Sequence, residues 1–211
     1  MNYEYILTVF ITIFTVVDPI GLIPIYIPIA SRFPVKKRKY IVINASLIAF
    51  IVSSLFLFGG KYLFKYLEIN YNSLYIVGGV LMFLMGLDMI YTKPRRTNTN
   101  PEEQEDVMTS IKDVSVFPLA IPMLSGPGLI ATLIMFSSRH DTVQNYMVVL
   151  AATAVVFSIA ALTMTFASGI MRFLGRTGIN VFERIMGIIL CCLSLQFIIN
   201  AITSIITAAK T

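Results

Sequence analysis

Val16-Val17-Asp18-Pro19-Ile20-Gly21-Leu22 interrupts an apolar run from about residue 5 to residue 30 with a carboxylate, a proline and a glycine. Each is costly there. Proline removes a backbone donor and glycine loosens a helix, and an ionisable group at bilayer depth is a functional-site hypothesis by default. A second interruption of the same kind, Ser125-Gly126-Pro127-Gly128, lies in another apolar run. The reading that decides the fold is therefore a membrane chain with two broken helices.

Composition settles the class around these breaks. Hydrophobic residues make up 57% of the 211-residue chain, charged residues only 13%, and the mean hydropathy is +0.82; soluble domains carry about a quarter charged residues. The chain reads as an all-α polytopic membrane protein. A window long enough to cross a bilayer, about 20 apolar residues, selects six spans near 5–30, 40–59, 72–91, 114–137, 146–170 and 181–206. The N-terminus has neither a basic n-region nor a small-residue cleavage site, so the first span is expected to be retained. Residues 92–113 hold nine charges with Pro94, Pro101 and Thr97-Asn98-Thr99-Asn100, and read as a solvated loop.

Charge sets orientation. With six spans, Arg32, Lys36, Lys37, Arg38, Lys39, Lys93, Arg95, Arg96, Lys112, Arg172, Arg176 and Arg184 share one side, against Lys61, Lys65, Arg139 and Lys210 on the other. The positive-inside rule puts the richer side in the cytoplasm and both termini outside the cytoplasmic membrane. The net charge of +5 thus reports orientation and not a nucleic-acid partner.

The chain also repeats itself. A shift of 107 residues lays Asp18-Pro19-Ile20-Gly21-Leu22-Ile23 over Ser125-Gly126-Pro127-Gly128-Leu129-Ile130; a shift of 108 lays Gly79 over Gly187 and Gly86 over Ser194. Each copy holds three spans, an odd number, so the second enters the membrane from the opposite side. The expected architecture is one integral domain built of inverted repeats, 1–91 and 114–211, with broken helices one and four, as in many secondary transporters.

Such breaks suit a small zwitterionic solute. A helix starting in mid-membrane offers unpaired N–H groups and a positive dipole end to an anion. Asp18 is placed as an N-cap with Pro19 at the first helical position, and Ser125 as a cap entered through Gly126-Pro127-Gly128. The candidate substrate site is Asp18, Pro19, Ile20 and Gly21 with Ser125, Gly126, Pro127 and Gly128. Backbone donors near Gly21 and Gly126–Gly128 would take a carboxylate, and Asp18 an ammonium group or a coupling proton or sodium ion. The structural alternative is that both breaks only kink helices for packing.

Other residues carry less. Asn44, Ser46, Ser53, Ser54, Thr153 and Ser158 suit interhelical hydrogen bonds as well as site roles, and Gly79, Gly86, Gly187 and Ser194 suit close helix packing. Those glycines also allow a homo-oligomer without requiring one. Arg184 beside Glu183 is expected to snorkel at the cytoplasmic boundary. Adjacent Cys191 and Cys192 match neither a disulfide framework nor a metal spacing, and His140 reads as a loop residue. No metal, cofactor or enzymatic constellation is expected, and neither break has the lysine of a nucleotide-binding glycine loop.

The pattern Asp18-Pro19-Ile20-Gly21, Pro118-Leu119-Ala120-Ile121-Pro122 with Ser125-Gly126-Pro127-Gly128, and Arg184-Ile185-Met186-Gly187 with Gln196-Phe197-Ile198-Ile199-Asn200 resembles the MarC family of the LysE superfamily, over essentially the whole chain. The resemblance implies a six-span carrier of small neutral amino acids such as glycine and alanine. Some relatives carry asparagine at the position of Asp18. An exporter of another small solute, or a non-transporting assembly or sensing subunit, are the alternatives. A thiol-disulfide carrier would need separated cysteines.

Overall fold

The computed structural model describes residues 3–68, 70–91, 115–139 and 142–208. The loop 92–113 and His140, with Lys93, Arg95, Arg96, Lys112 and Lys210, lie outside the described residues. The elements are α1 (Tyr3–Val17), α2 (Ile23–Ser31), α3 (Val35–Tyr66), α4 (Tyr71–Ile90), α5 (Ser115–Leu124), α6 (Pro127–Arg139), α7 (Val143–Thr165) and α8 (Ala167–Ala208). Among the described residues there is no strand. Both expected breaks are present, between α1 and α2 and between α5 and α6. Segment α5 is wound as a π-helix, a form that occurs mostly as short stretches near functional sites.

Among the described residues four helices are long and apolar enough to cross a membrane, and α1 and α6 are shorter apolar helices. Apolar side chains cover the outside as well as the core. Leu47, Ile51, Leu55 and Phe58 form an exposed strip along α3, while Ala45, Ala49, Ser53 and Leu57 form its buried one. A helix apolar on both faces belongs in lipid. Helix α3 starts earlier than the apolar window predicts, because Lys36–Lys39 continue the helix beyond the apolar run. At Gly175 (φ 65°, ψ 175°) α8 is interrupted in a region essentially reserved for glycine, so the last span is its second limb.

Helices α4 and α8 pack along each other through small residues. A Cβ added to Gly79 would stand 3.0 Å from the Ser194 carbonyl oxygen, and one on Gly86 only 2.8 Å from that of Gly187. Small residues therefore bring two backbones into contact, as their spacing predicts. Helix α3 packs on α5, α6 and α7, and α1 on α6, α7 and α8.

One end of the bundle is tied by aromatic and polar contacts. The Phe136 ring of α6 meets Tyr5 of α1 (6.3 Å) and Phe197 of α8 (6.1 Å), both edge-on, and Phe197 meets Tyr75 of α4 (6.3 Å). The start of α1 and the later part of α8 thus lie at the same end. Buried Asn145 accepts from the Tyr5 hydroxyl (2.6 Å) and donates through Nδ2 to the Phe136 carbonyl (2.8 Å). Replacing Asn145 by leucine removes both bonds. With membrane side-chain hydrogen bonds averaging about 0.6 kcal/mol and reaching about 1.7, the variant is expected to lose roughly 1–3 kcal/mol, measured by unfolding in detergent.

Candidate functional site

The first break is organised by Asp18. Its N–H makes the last bond of α1, to Phe14 O (2.9 Å), and its φ of 48° then turns the chain into the left-handed region. Aspartate tolerates that region better than most residues, although a following proline already restricts it. The Gly21 N–H donates to Asp18 Oδ1 (3.1 Å), Leu22 N–H to Asp18 O (3.3 Å) and Ile23 N–H to Ile20 O (3.0 Å). Asp18 therefore caps a turn, and the helix proper starts four residues later than Pro19. Pro24 supplies the first-turn proline of α2. The Thr163 hydroxyl of α7 lies 3.0 Å from Pro19 O and 2.9 Å from Ala160 O, and shares its proton between them.

The second break is left more open. Ser125 donates twice to the Ala120 carbonyl, through its N–H (2.9 Å) and its hydroxyl (2.8 Å). It closes the π-helical turn behind it, and the cap on α6 that the sequence predicts for it is not formed. The first bond of α6 runs from Ile130 N–H to Gly126 O (3.1 Å). Pro127 has no N–H, so the donors at this helix start are those of Gly128 and Leu129.

The two breaks lie side by side. A Cβ on Gly128 would stand 3.7 Å from Val16 Cγ1, two residues before Asp18, and would run into the Met85 thioether of α4. A Cβ on Gly21 would run into the Asp18 carboxylate and stand 2.8 Å from Glu183 Oε1 of α8. A side chain at position 21 would obstruct the approach of these two carboxylates to the turn. Asp18 and Ser125 are each 1% exposed; Pro19, Gly21, Gly126 and Gly128 are buried, Ile20 is half-buried and Pro127 is exposed. Among the described residues no group of three or more His, Cys, Asp or Glu side chains is placed to hold a metal ion.

Glu183 and Met85 are the residues that sequence reasoning missed. For Glu183 a signal exists: it is the only acidic residue after Asp141. Its neighbour Arg184 made the pair look like a boundary, yet Glu183 is partly buried and turned to the break while Arg184 is exposed. Met85 gives no signal among eleven methionines.

Comparison with known proteins fixes the lineage. A model described as MarC family integral membrane protein matches residues 3–206. The chain belongs to the MarC family. It is 31% identical to the UPF0056 membrane protein YvbG of Bacillus subtilis, over 94% of each chain. A UPF0056 membrane protein of Archaeoglobus fulgidus is 33% identical, over 92% of this chain and 90% of the relative. One from Methanocaldococcus jannaschii is 32% identical, over 93% and 86%. No solved structure matches. As a MarC protein the chain is an integral, multi-pass membrane protein, and both breaks fall inside the matched region.

Proposed function

We propose that this MarC protein is a secondary transporter of small neutral amino acids, of the glycine and alanine type, working by alternating access in the cytoplasmic membrane with a proton or sodium ion as the coupling species. The observation that carries the proposal is the meeting of the two breaks, one with a buried carboxylate and one with the first-turn N–H groups of Gly128 and Leu129 at a helix start. The substrate carboxylate binds at the start of α6. It does not bind at Gly21, whose N–H is already engaged by Asp18 Oδ1. The ammonium group faces Asp18, with Glu183 as a second acid. The Met85 thioether against Gly128 narrows the space beside the α6 start, which favours a small side chain.

Inverted repeats support the transport cycle. Under the 108-residue shift Gly79 becomes Gly187 and Gly86 becomes Ser194, so the Gly79–Ser194 contact turns into the Gly187–Gly86 contact. A half-turn exchanging α4 and the second limb of α8 would carry these two contacts onto each other, as the inverted-repeat reading requires. Each break is likewise covered from the third span of the other half, Gly21 by Glu183 and Gly128 by Met85. Rocking one half against the other would open each break in turn. The cytoplasmic side is the one bearing Arg32–Lys39, Arg172 and Arg176, with both termini outside.

Flux of labelled glycine and alanine into liposomes containing the purified protein tests the proposal. Saturable uptake driven by a pH or sodium gradient is the expected result. Folded protein that moves neither substrate in either direction would overturn the substrate class and favour another solute or a non-transporting role.

A further inference from the structure

Hydroxyls inside the spans mostly bond back to their own helix: Ser54 to Phe50 O (2.7 Å), Thr153 to Val149 O (2.7 Å) and Ser158 to Ala154 O (2.7 Å). Ser53 does not. Its side chain is 1% exposed and its Oγ has no hydrogen-bond partner among the described residues. Ser46, seven residues earlier, has an Oγ in the same condition. A buried hydroxyl can almost always find a partner in its own helix, so one held away from it calls for a partner that binds.

The register of α3 locates Ser53. Gly60 touches α6, where a Cβ on it would stand 2.5 Å from Ile134 Cγ1. The end of α3 lies near the end of α6, since Phe58 stacks on Tyr146 (5.4 Å) and the adjacent Asn145 bonds Phe136 O. Helix α5, which leads into α6, also packs on α3, so the two helices run in the same sense; in the opposite sense α5 would pass beyond the end of α3. Seven residues back from Gly60 on the same face is Ser53, about 10 Å lower. Seven back from Ile134 is Pro127, the first residue of α6. Ser53 therefore stands level with the second break, on the face of α3 that packs against it.

We propose that Ser53 donates a hydrogen bond to the carboxylate of the bound amino acid, beside the Gly128 and Leu129 N–H groups. This rests on the transport function proposed above. The Ser53 hydroxyl is then the side-chain member of the carboxylate site, contributed by a helix that neither break belongs to.

The test is L-alanine flux into liposomes with wild-type protein, Ser53→Ala and Ser53→Thr, together with thermal unfolding of each. Ser53→Ala should raise the KM for alanine about tenfold or more, the value of a hydrogen bond to a charged group, with an unfolding temperature equal to or above wild type. Ser53→Thr keeps the hydroxyl and should recover most of the affinity. The preference for alanine over alaninamide as competitor should shrink by the same factor in Ser53→Ala, which a packing defect would not do. An active Ser53→Ala with unchanged KM, or one whose unfolding temperature drops, overturns the role of Ser53 and leaves the transport function standing. Wild-type protein without amino-acid flux overturns both.

Discussion

Replacement of Asp18 by alanine is expected to lower alanine flux by at least about thirtyfold. Truncating one partner of a buried, hydrogen-bonded charge pair costs about 2–5 kcal/mol, and each 1.4 kcal/mol is tenfold. The same change also damages the turn. It removes the acceptor of the Gly21 N–H, a loss of about 0.5–2 kcal/mol for a capping residue, and it puts a β-carbon without a polar group at φ 48°. Asparagine separates the two effects, because it keeps an Oδ1 acceptor and tolerates the left-handed region. Asp18→Asn should therefore unfold at the wild-type temperature while its flux falls at least about tenfold. Flux in Asp18→Asn at the wild-type level would remove the charge from the mechanism and leave Asp18 as a cap. Glu183→Gln, measured alongside, reports whether the second acid shares the role.

Gly187→Ala is expected to destabilise the protein by at least about 2 kcal/mol and to lower its folded yield. The added methyl would stand 2.7 Å from the Gly86 carbonyl oxygen and 2.9 Å from Met89 Cβ. Those are a backbone atom and a side-chain root, neither of which can swing aside, so α4 and α8 must separate; overpacking of this kind costs about 1–3 kcal/mol even where neighbours yield. Gly59 supplies the control, with nothing within 4 Å of an added Cβ. Gly59→Ala should be neutral or stabilising by up to about 1 kcal/mol, the difference in helix propensity. Equal unfolding temperatures for the two variants, measured in the same detergent, would show that α4 and α8 are not held at backbone contact.

The breaks were legible in the sequence because proline and glycine act on the backbone locally, whatever surrounds them. The same holds for Gly79 with Gly86 and for Gly187 with Ser194, each pair seven residues apart, which puts small surfaces on one helix face. Glu183 was not legible as a site residue. Its role comes from a contact with Gly21 more than 160 positions away in the sequence, and its local context, an arginine next door, pointed to an interface. The direction of the Ser125 hydroxyl was equally hidden, since it depends on the π-helical winding of α5, which places the Ala120 carbonyl under it and which an apolar run of ten residues does not announce. Among the serines and threonines of the spans, sequence could not single out Ser53. The absence of the usual backbone bond narrows them to Ser46 and Ser53, and the register of α3 against α6 chooses Ser53.

On the inverted-repeat reading proposed above, the matching contacts of α4 and α8 carry a historical meaning. If Gly79–Ser194 and Gly86–Gly187 are one contact made twice, the ancestral polypeptide was half this length and packed against a second copy of itself lying upside down in the bilayer. Such a polypeptide had to insert both ways up, so its loop charges had to be nearly balanced. Fusion into one chain would have removed that requirement. Each copy would then have been free to acquire its own charge bias, and one copy could keep the acid at Asp18 while the other carried serine at the matching place.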